Sequence, residues 1–301
     1  MNISKRLQKL SKAAGGAHVL ADVGCDHGYA ALEILNREAS ARAVLIDTNA
    51  GPLSIAAENM RQAGVMPRCS FYLSDGLRAL CLSDRQLKTG ERKKRDVFWT
   101  RYPDTCPDRL KQEDAAKISG LPGCSVMPDT ILISGMGGRL IRDILSLLPT
   151  NGDISCDREL LLKEAVSFLS GVRRLVLSPQ SEPSVLRHFL IDELQARITD
   201  EEMLSEDGKY YVIITAEPCR PGEKRQRDPR YQMEWDYENG VILAEKKDMV
   251  YREYLLAQKN KLSKLLKALS GEEGEAARER AQELMELLIQ TENALGAYEE
   301  N

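Results

Sequence analysis

The sequence predicts an α/β protein: a doubly wound, mostly parallel sheet followed by a helical, coiled-coil-like hairpin. Three observations predict it. Short apolar runs alternate with segments of helical period over residues 19–216, as strand–helix–strand crossovers require. The first apolar run ends in Asp22-x-Gly24-x-Asp26-x-Gly28, a turn into a helix at the carboxyl end of a strand, where open α/β sheets bind ligands. From about residue 241 the chain is charged and free of proline, with leucines in a heptad-like seam.

Each element follows from its own pattern. Residues 1–15 form a short basic amphipathic helix with Ile3, Leu7 and Leu10 on one face, ended by Gly15-Gly16. Val19–Val23 is the first strand and Tyr29–Arg37 its helix. Ala43–Ile46 is the second strand, closed by Asp47; Pro52–Ala63 is a helix capped by Gly64. Ser70–Leu73 is the third strand, ending in Ser74-Asp75-Gly76. Thr130–Ser134 is the fourth, followed by Gly135-Met136-Gly137-Gly138 and a helix through Leu148. Leu175–Leu177 is the fifth, with a helix over Val185–Leu194. Arg197–Leu204 and Tyr210–Ala216 form a closing antiparallel pair, turned at Asp207-Gly208.

Two stretches interrupt this rhythm and read as insertions. Residues 83–128 are too long for a compact loop and hold a basic run (Arg85, Lys88, Arg92, Lys93, Lys94, Arg95) with Trp99 and Tyr102 behind it. Residues 149–172 hold a Pro/Asn/Gly turn and a helix over Glu159–Leu169. The expected organisation is a ligand-binding domain over 1–218, a basic linker over 219–240 and a helical hairpin over 241–301. In that hairpin Leu255, Leu262, Leu266 and Leu269 face Ala277, Ala281, Leu284, Leu288, Thr291, Leu295 and Tyr298 across a turn at residues 271–274.

Composition excludes several classes. At 301 residues and 43% hydrophobic the chain can bury a core, which rules out global disorder. A net charge of −4 gives no global pull toward nucleic acid, so any such partner must be met by local patches. Seven cysteines lie far apart without a C-x-x-C pair, so neither a zinc site nor a disulfide framework is expected. No metal-ligand spacing and no G-x-S-x-G nucleophile motif appears. The basic N-terminus has no apolar stretch after it and no run is long enough to span a bilayer, so a cytoplasmic protein without membrane association is expected.

The chemistry concentrates at strand ends. A dinucleotide fingerprint would read G-x-G-x-x-G, but here acids stand inside the loop, and they would repel a pyrophosphate. The same acids suit a cationic, hydrogen-bond-donating ligand such as S-adenosylmethionine, which has a sulfonium and an amino group and no phosphate. Asp22 and Asp26 sit in the first loop. Asp47 ends the second strand, where an acid commonly holds ribose hydroxyls, and Asp75 ends the third. A lone strand-end acid is usually a solvated residue or a helix cap. Three in succession point to a nucleotide-like ligand without phosphate. The glycines after Ser134 let a second ligand approach the backbone, although a plain strand-to-helix turn has the same composition. Ser178-Pro179-Gln180-Ser181-Glu182-Pro183 follows the fifth strand on the same rim.

With these motifs in view the chain resembles the bacterial tRNA (adenine-N1)-methyltransferases that modify adenine at position 22 of the D-arm. The resemblance runs through Ser4-Lys5-Arg6-Leu7, Ala21-Asp22-Val23-Gly24-Cys25-Asp26-His27-Gly28-Tyr29, Asp75-Gly76-Leu77, Ile133-Ser134-Gly135-Met136-Gly137-Gly138, Leu177-Ser178-Pro179-Gln180 and Glu206-Asp207-Gly208-Lys209-Tyr210-Tyr211. It covers nearly the whole chain except the two insertions, of which 83–128 is much longer than the connection usual in that family. It implies a class I, Rossmann-like methyltransferase fold, S-adenosyl-L-methionine as cofactor, and tRNA as partner. By position, Gly24, Asp26 and His27 would hold the methionine end of the cofactor, and Asp22 is expected among the cofactor-binding residues. Asp47 would take the ribose, and Asp75 and Gly76 the adenine edge. Ser134 and Gly135 would lie by the methyl group, and Asp26, Ser134 and Gly135 are the catalytic candidates. The residues themselves also allow a methyltransferase acting on a protein or small molecule, or a non-catalytic S-adenosylmethionine-binding module whose hairpin engages a partner.

Overall fold

The computed structural model describes residues 4–81, 127–150, 157–223, 225–270 and 274–299. The basic run Arg85–Arg95, Trp99 and Tyr102 lie outside the described residues, as does Ile3. The chain begins with α1 (Lys5–Ala13), capped by Ser4, whose hydroxyl accepts from the Leu7 N–H at 3.2 Å. There follow β1 (Val19–Val23), α2 (Tyr29–Arg37), β2 (Arg42–Asp47), α3 (Ala50–Gln62), β3 (Cys69–Leu73) and the single turn α4 (Arg78–Cys81). Beyond residue 126 come β4 (Thr130–Met136), α5 (Gly138–Leu145), α6 (Arg158–Leu169), β5 (Arg174–Pro179), α7 (Pro183–His188), β6 (Arg197–Glu206) and β7 (Lys209–Glu217). The last helices are α8 (Glu234–Asn239), α9 (Val241–Glu245), α10 (Met249–Leu269) and α11 (Glu275–Gly296).

Seven strands form one sheet in the order β3-β2-β1-β4-β5-β7-β6. The pairs from β3 to β5 are parallel and β5–β7 is antiparallel. Every residue of β1 and β3 is buried, as expected of strands covered on both faces. The order reverses between β1 and β4, so the crevice at their carboxyl ends is where such a sheet opens to a ligand. β4 runs two residues past the expected Ser134. A bulge between Ser134 and Met136 leaves Gly135 unpaired and bends the strand end. The helix after β4 stops at Leu145 rather than Leu148, and the one after β5 passes from α7 into a single π-turn, Phe189–Glu193. Within the second interruption α6 starts on the Asp157 side chain and buries Ala165 and Leu169 completely.

The chain divides into two compact units: residues 1–200 with 213–228, and 201–212 with 229–301. The first holds the strand-end crevice. In the second, Tyr298 after α11 donates to the Asp248 carbonyl at the start of α10 (3.1 Å), and Lys259 pairs with Glu292 (2.8 Å), so the two long helices run antiparallel. Leu255, Leu262, Leu284, Thr291 and Leu295 of the expected seam are buried. Thr291 satisfies its hydroxyl on the Leu287 carbonyl within its own helix.

Candidate active site

The first loop is fixed by its own backbone. Gly24 and Cys25 donate to the Ile46 carbonyl (2.8 and 3.0 Å), Asp26 N–H to Asp47 Oδ2 (3.1 Å) and Gly28 N–H to the Cys25 carbonyl (2.7 Å). From α3, the Asn59 amide donates to the His27 carbonyl at 2.9 Å. These loop N–H groups turn inward to the protein and do not face a ligand. What the loop offers instead is carboxylate. Gly24 suits this position because its φ of +68° is one that L side chains rarely adopt; a Cβ would also have to push aside the flexible Met136 methyl.

The loop and the neighbouring strand ends line a cleft of about 720 Å³. All the expected site residues reach it: Asp22, Gly24, Asp26, His27, Asp47, Asp75, Gly76, Ser134 and Gly135. The acids differ sharply. Asp22 is 4% exposed and accepts from the Ala31 N–H at the start of α2. Its Oδ2 has no hydrogen-bond partner among the described residues. Burial pushes its carboxyl up to about 7; the Ala31 N–H opposes this and the Asp47 charge adds to it. Asp47 accepts from the Asn49 N–H (2.8 Å) and from Asp26, and burial again raises its pKa against those bonds. Each Asp47 oxygen still has a lone pair for a ribose hydroxyl. Asp75 accepts from the Thr150 N–H (3.0 Å) and hydroxyl (2.5 Å), which ties the chain beyond α5 to the end of β3. Asp26 has a side chain 73% exposed, 3.5 Å from the His27 imidazole. The Cys25 thiol is held well above its ordinary pKa by burial and by Asp22, Asp47 and Asp26, so it is no nucleophile.

On the opposite wall the side chains that line the cleft, Ser134, Met136 and Gln180, are uncharged. Gln180 N–H donates to the Met136 carbonyl and Gly138 N–H to the Ser181 carbonyl, both at 2.8 Å. Arg139 pairs with Glu182 at 2.6 Å. A Cβ at Gly138 would lie 2.1 Å from the Glu182 carbonyl oxygen, so the β4 and β5 loops pack backbone to backbone. Sequence reading placed Gln180 on this rim without giving it a role. It missed Ser4, Arg6 and Leu7 of α1, which also line the cleft; the amphipathic stripe of that helix was the available signal. Among the described residues no group of acids, histidines and cysteines could hold a metal ion, and no helix is long and apolar enough to cross a membrane.

Comparison with known proteins fits this geometry. The family model described as tRNA (adenine(22)-N(1))-methyltransferase matches residues 158–291, and a general methyltransferase-domain model matches 3–88. A Bacillus subtilis (strain 168) tRNA (adenine(22)-N(1))-methyltransferase is 28% identical over 218 residues, 72% of this chain and 66% of the relative. The chain is similar to the tRNA (adenine(22)-N(1))-methyltransferases over these reaches. It thus spans slightly less than two thirds of that relative's length in the sequence match. The fold agrees over a longer reach. The B. subtilis m1A22 tRNA methyltransferase TrmK superposes with a TM-score of 0.65 at 22% identity, covering 98% of this chain and 99% of that one. M. capricolum TrmK in complex with S-adenosyl-homocysteine gives 0.63 at 18%, covering 98% of each. At such identities the likeness shows the Rossmann-like fold alone.

Proposed function

We propose that this protein transfers a methyl group from S-adenosyl-L-methionine to N1 of an adenine in the D-arm of tRNA, at position 22. The observation that carries the reading is Asp22: a buried carboxyl near the end of β1 with one oxygen unpartnered among the described residues, ahead of a loop whose N–H groups are turned away. That site is built for a cationic hydrogen-bond donor and against a phosphate. The relatives bear the tRNA (adenine(22)-N(1))-methyltransferase name, and one neighbouring structure holds the cofactor product.

When bound, S-adenosylmethionine supplies an electrophilic methyl on its sulfonium. This chain's residues do the rest. Asp22, with Asp26 and His27, would hold the charged methionine end. Asp47 would hold the ribose, and Gly76 would admit the adenine beside Asp75. Ser134 and Gly135, at the bulged end of β4, would meet the acceptor. Adenine N1 has its own lone pair, so no strong base is needed to create the nucleophile, and positioning carries most of the acceleration. The methylated base is cationic, and the exposed Asp26 carboxylate could receive the proton that leaves afterwards. N1 lies on the Watson–Crick edge, so the base must be unpaired or turned out of its stack. The protein would act in the cytoplasm, where tRNA is found, and would bind no metal.

The test is methyl transfer from labelled cofactor to unmodified tRNA, with the product base mapped by reverse-transcription stops. A single stop at adenine 22, lost when that base is changed to guanine, is expected. Methyl incorporation elsewhere, or into protein only, would replace this reading with one of its rivals.

A further inference from the structure

We infer that Gln180 is the residue that recognises the acceptor as adenine, reading the Hoogsteen edge of the base while leaving N1 free. This deepens the proposed function and rests on it.

The cleft offers different groups on its two sides. The acids are on the β1, β2 and β3 ends, and Arg6 enters the cleft from the first helix. The wall at β4 and β5 has Ser134, Gly135, Met136 and Gln180 in the cleft and no acid or base among the four. An acceptor base is uncharged before reaction, and this is the uncharged side. Within it Gln180 is the one residue of the four with both a strong side-chain donor and a carbonyl acceptor in fixed relation.

Gln180 is also presented in a particular way. Its backbone is fixed by its own N–H on the Met136 carbonyl, by Gly138 N–H on the Ser181 carbonyl, and by the Arg139–Glu182 pair two residues on. Its side chain is exposed, and its carboxamide makes no hydrogen bond among the described residues. Its Nε2 lies beside Gly135, 3.8 Å from where a Cβ there would stand, so the amide lies over the bulge that faces the acceptor. A rigid backbone with an unpaired, outward amide suits recognition better than internal structure.

The chemistry of the pairing is restrictive. A carboxamide binds adenine through two bonds: its carbonyl oxygen accepts from N6–H, and its NH₂ donates to an acceptor beside N6. That acceptor is N7 on the Hoogsteen edge or N1 on the Watson–Crick edge. In this reaction N1 must attack, so its lone pair is not available to a donor. Only the N6/N7 pair leaves the nucleophile free. Guanine presents O6 and N7, two acceptors, and would leave the Gln180 carbonyl facing O6.

Single-atom replacement in the RNA tests this. tRNA is prepared with adenine or 7-deazaadenine at the modified position, the second lacking only the N7 acceptor. The wild type is expected to lose about tenfold in kcat/KM on the 7-deaza RNA. Gln180→Ala should fall by about ten- to a hundredfold on normal tRNA and show little further loss on the 7-deaza RNA. Gln180→Glu should invert the preference, because its carboxylate faces the N7 lone pair in adenine and a C–H in the analogue. Cofactor affinity by calorimetry should be unchanged in both variants, which reports an intact cleft. If the wild type methylates both RNAs equally, or if Gln180→Ala suffers the full 7-deaza loss, the assignment is wrong while the methyltransferase reading stands. If the wild type methylates no tRNA adenine at N1, the proposed function fails and this assignment with it.

Discussion

The two walls of the cleft are built on opposite plans. On the β1–β2 side, side chains carry the site: Asp22 is buried with an unpartnered oxygen, and Asp47 ties Asp26 and Asn49 to the same strand ends. On the β4–β5 side the backbone carries it, through Gly138 packed on Glu182 and the paired loop hydrogen bonds. Under the proposed function, fixed carboxylates would meet a small charged ligand of constant shape, and a close-fitting backbone surface with one free amide would meet a base delivered on a large RNA.

Substitutions on each wall should therefore separate cofactor binding from acceptor turnover. Asp47→Ala is expected to have the largest effect. It removes the ribose acceptor and leaves the Asp26 and Asn49 N–H groups without their partner, weakening S-adenosylmethionine by about 1–3 kcal/mol by calorimetry. Equal affinity in a folded variant would move the ribose elsewhere. Gly138→Ala comes next. Its methyl must displace the Glu182 backbone, so kcat/KM on tRNA should drop by about tenfold through misplacement of the acceptor. Cofactor affinity should hold, and a parallel loss of it would merge the two walls into one unit. Asp75→Ala should be smallest for binding, because both oxygens already serve Thr150. A loss of about 0.5–1.5 kcal/mol in unfolding free energy, with cofactor affinity within about twofold, is expected.

These effects also mark what could be read from the chain beforehand. The strand positions and the strand-end acids were legible, because apolar runs and acidic turns are local patterns. Val19–Val23 and Tyr29–Arg37 lie at the residues the pattern gave. The division of labour among the acids was not legible. Asp22, Asp47 and Asp75 look alike in sequence, yet one keeps an oxygen without a partner among the described residues, one bridges two strand ends and one is held through both oxygens by Thr150, 75 residues away. Partners so distant leave no local trace. The inward turn of the Gly24 and Cys25 N–H groups onto Ile46 was hidden for the same reason. The bulge at Gly135 moved the end of β4 by two residues, since a glycine in a strand run reads equally as its end.

The central claim is that Asp22 is kept as a charge-bearing residue in order to hold the cofactor. With its carboxyl raised to about 7 in the fold, against an unfolded value near about 4, the folded state binds more protons between those limits. The ligand-free protein should therefore lose stability as pH rises from about 4 to about 7, and cofactor affinity should strengthen over the upper part of that range as Asp22 ionises. The most direct measurement is the thermal midpoint of wild type and Asp22→Asn at about pH 8, with and without S-adenosylmethionine. Asn retains an oxygen for the Ala31 N–H but carries no charge. The account predicts that Asp22→Asn without ligand melts at or above the wild-type temperature and loses most of the ligand-induced rise. A variant that keeps the full rise would show that the buried acid only caps α2 and does not bind the cofactor.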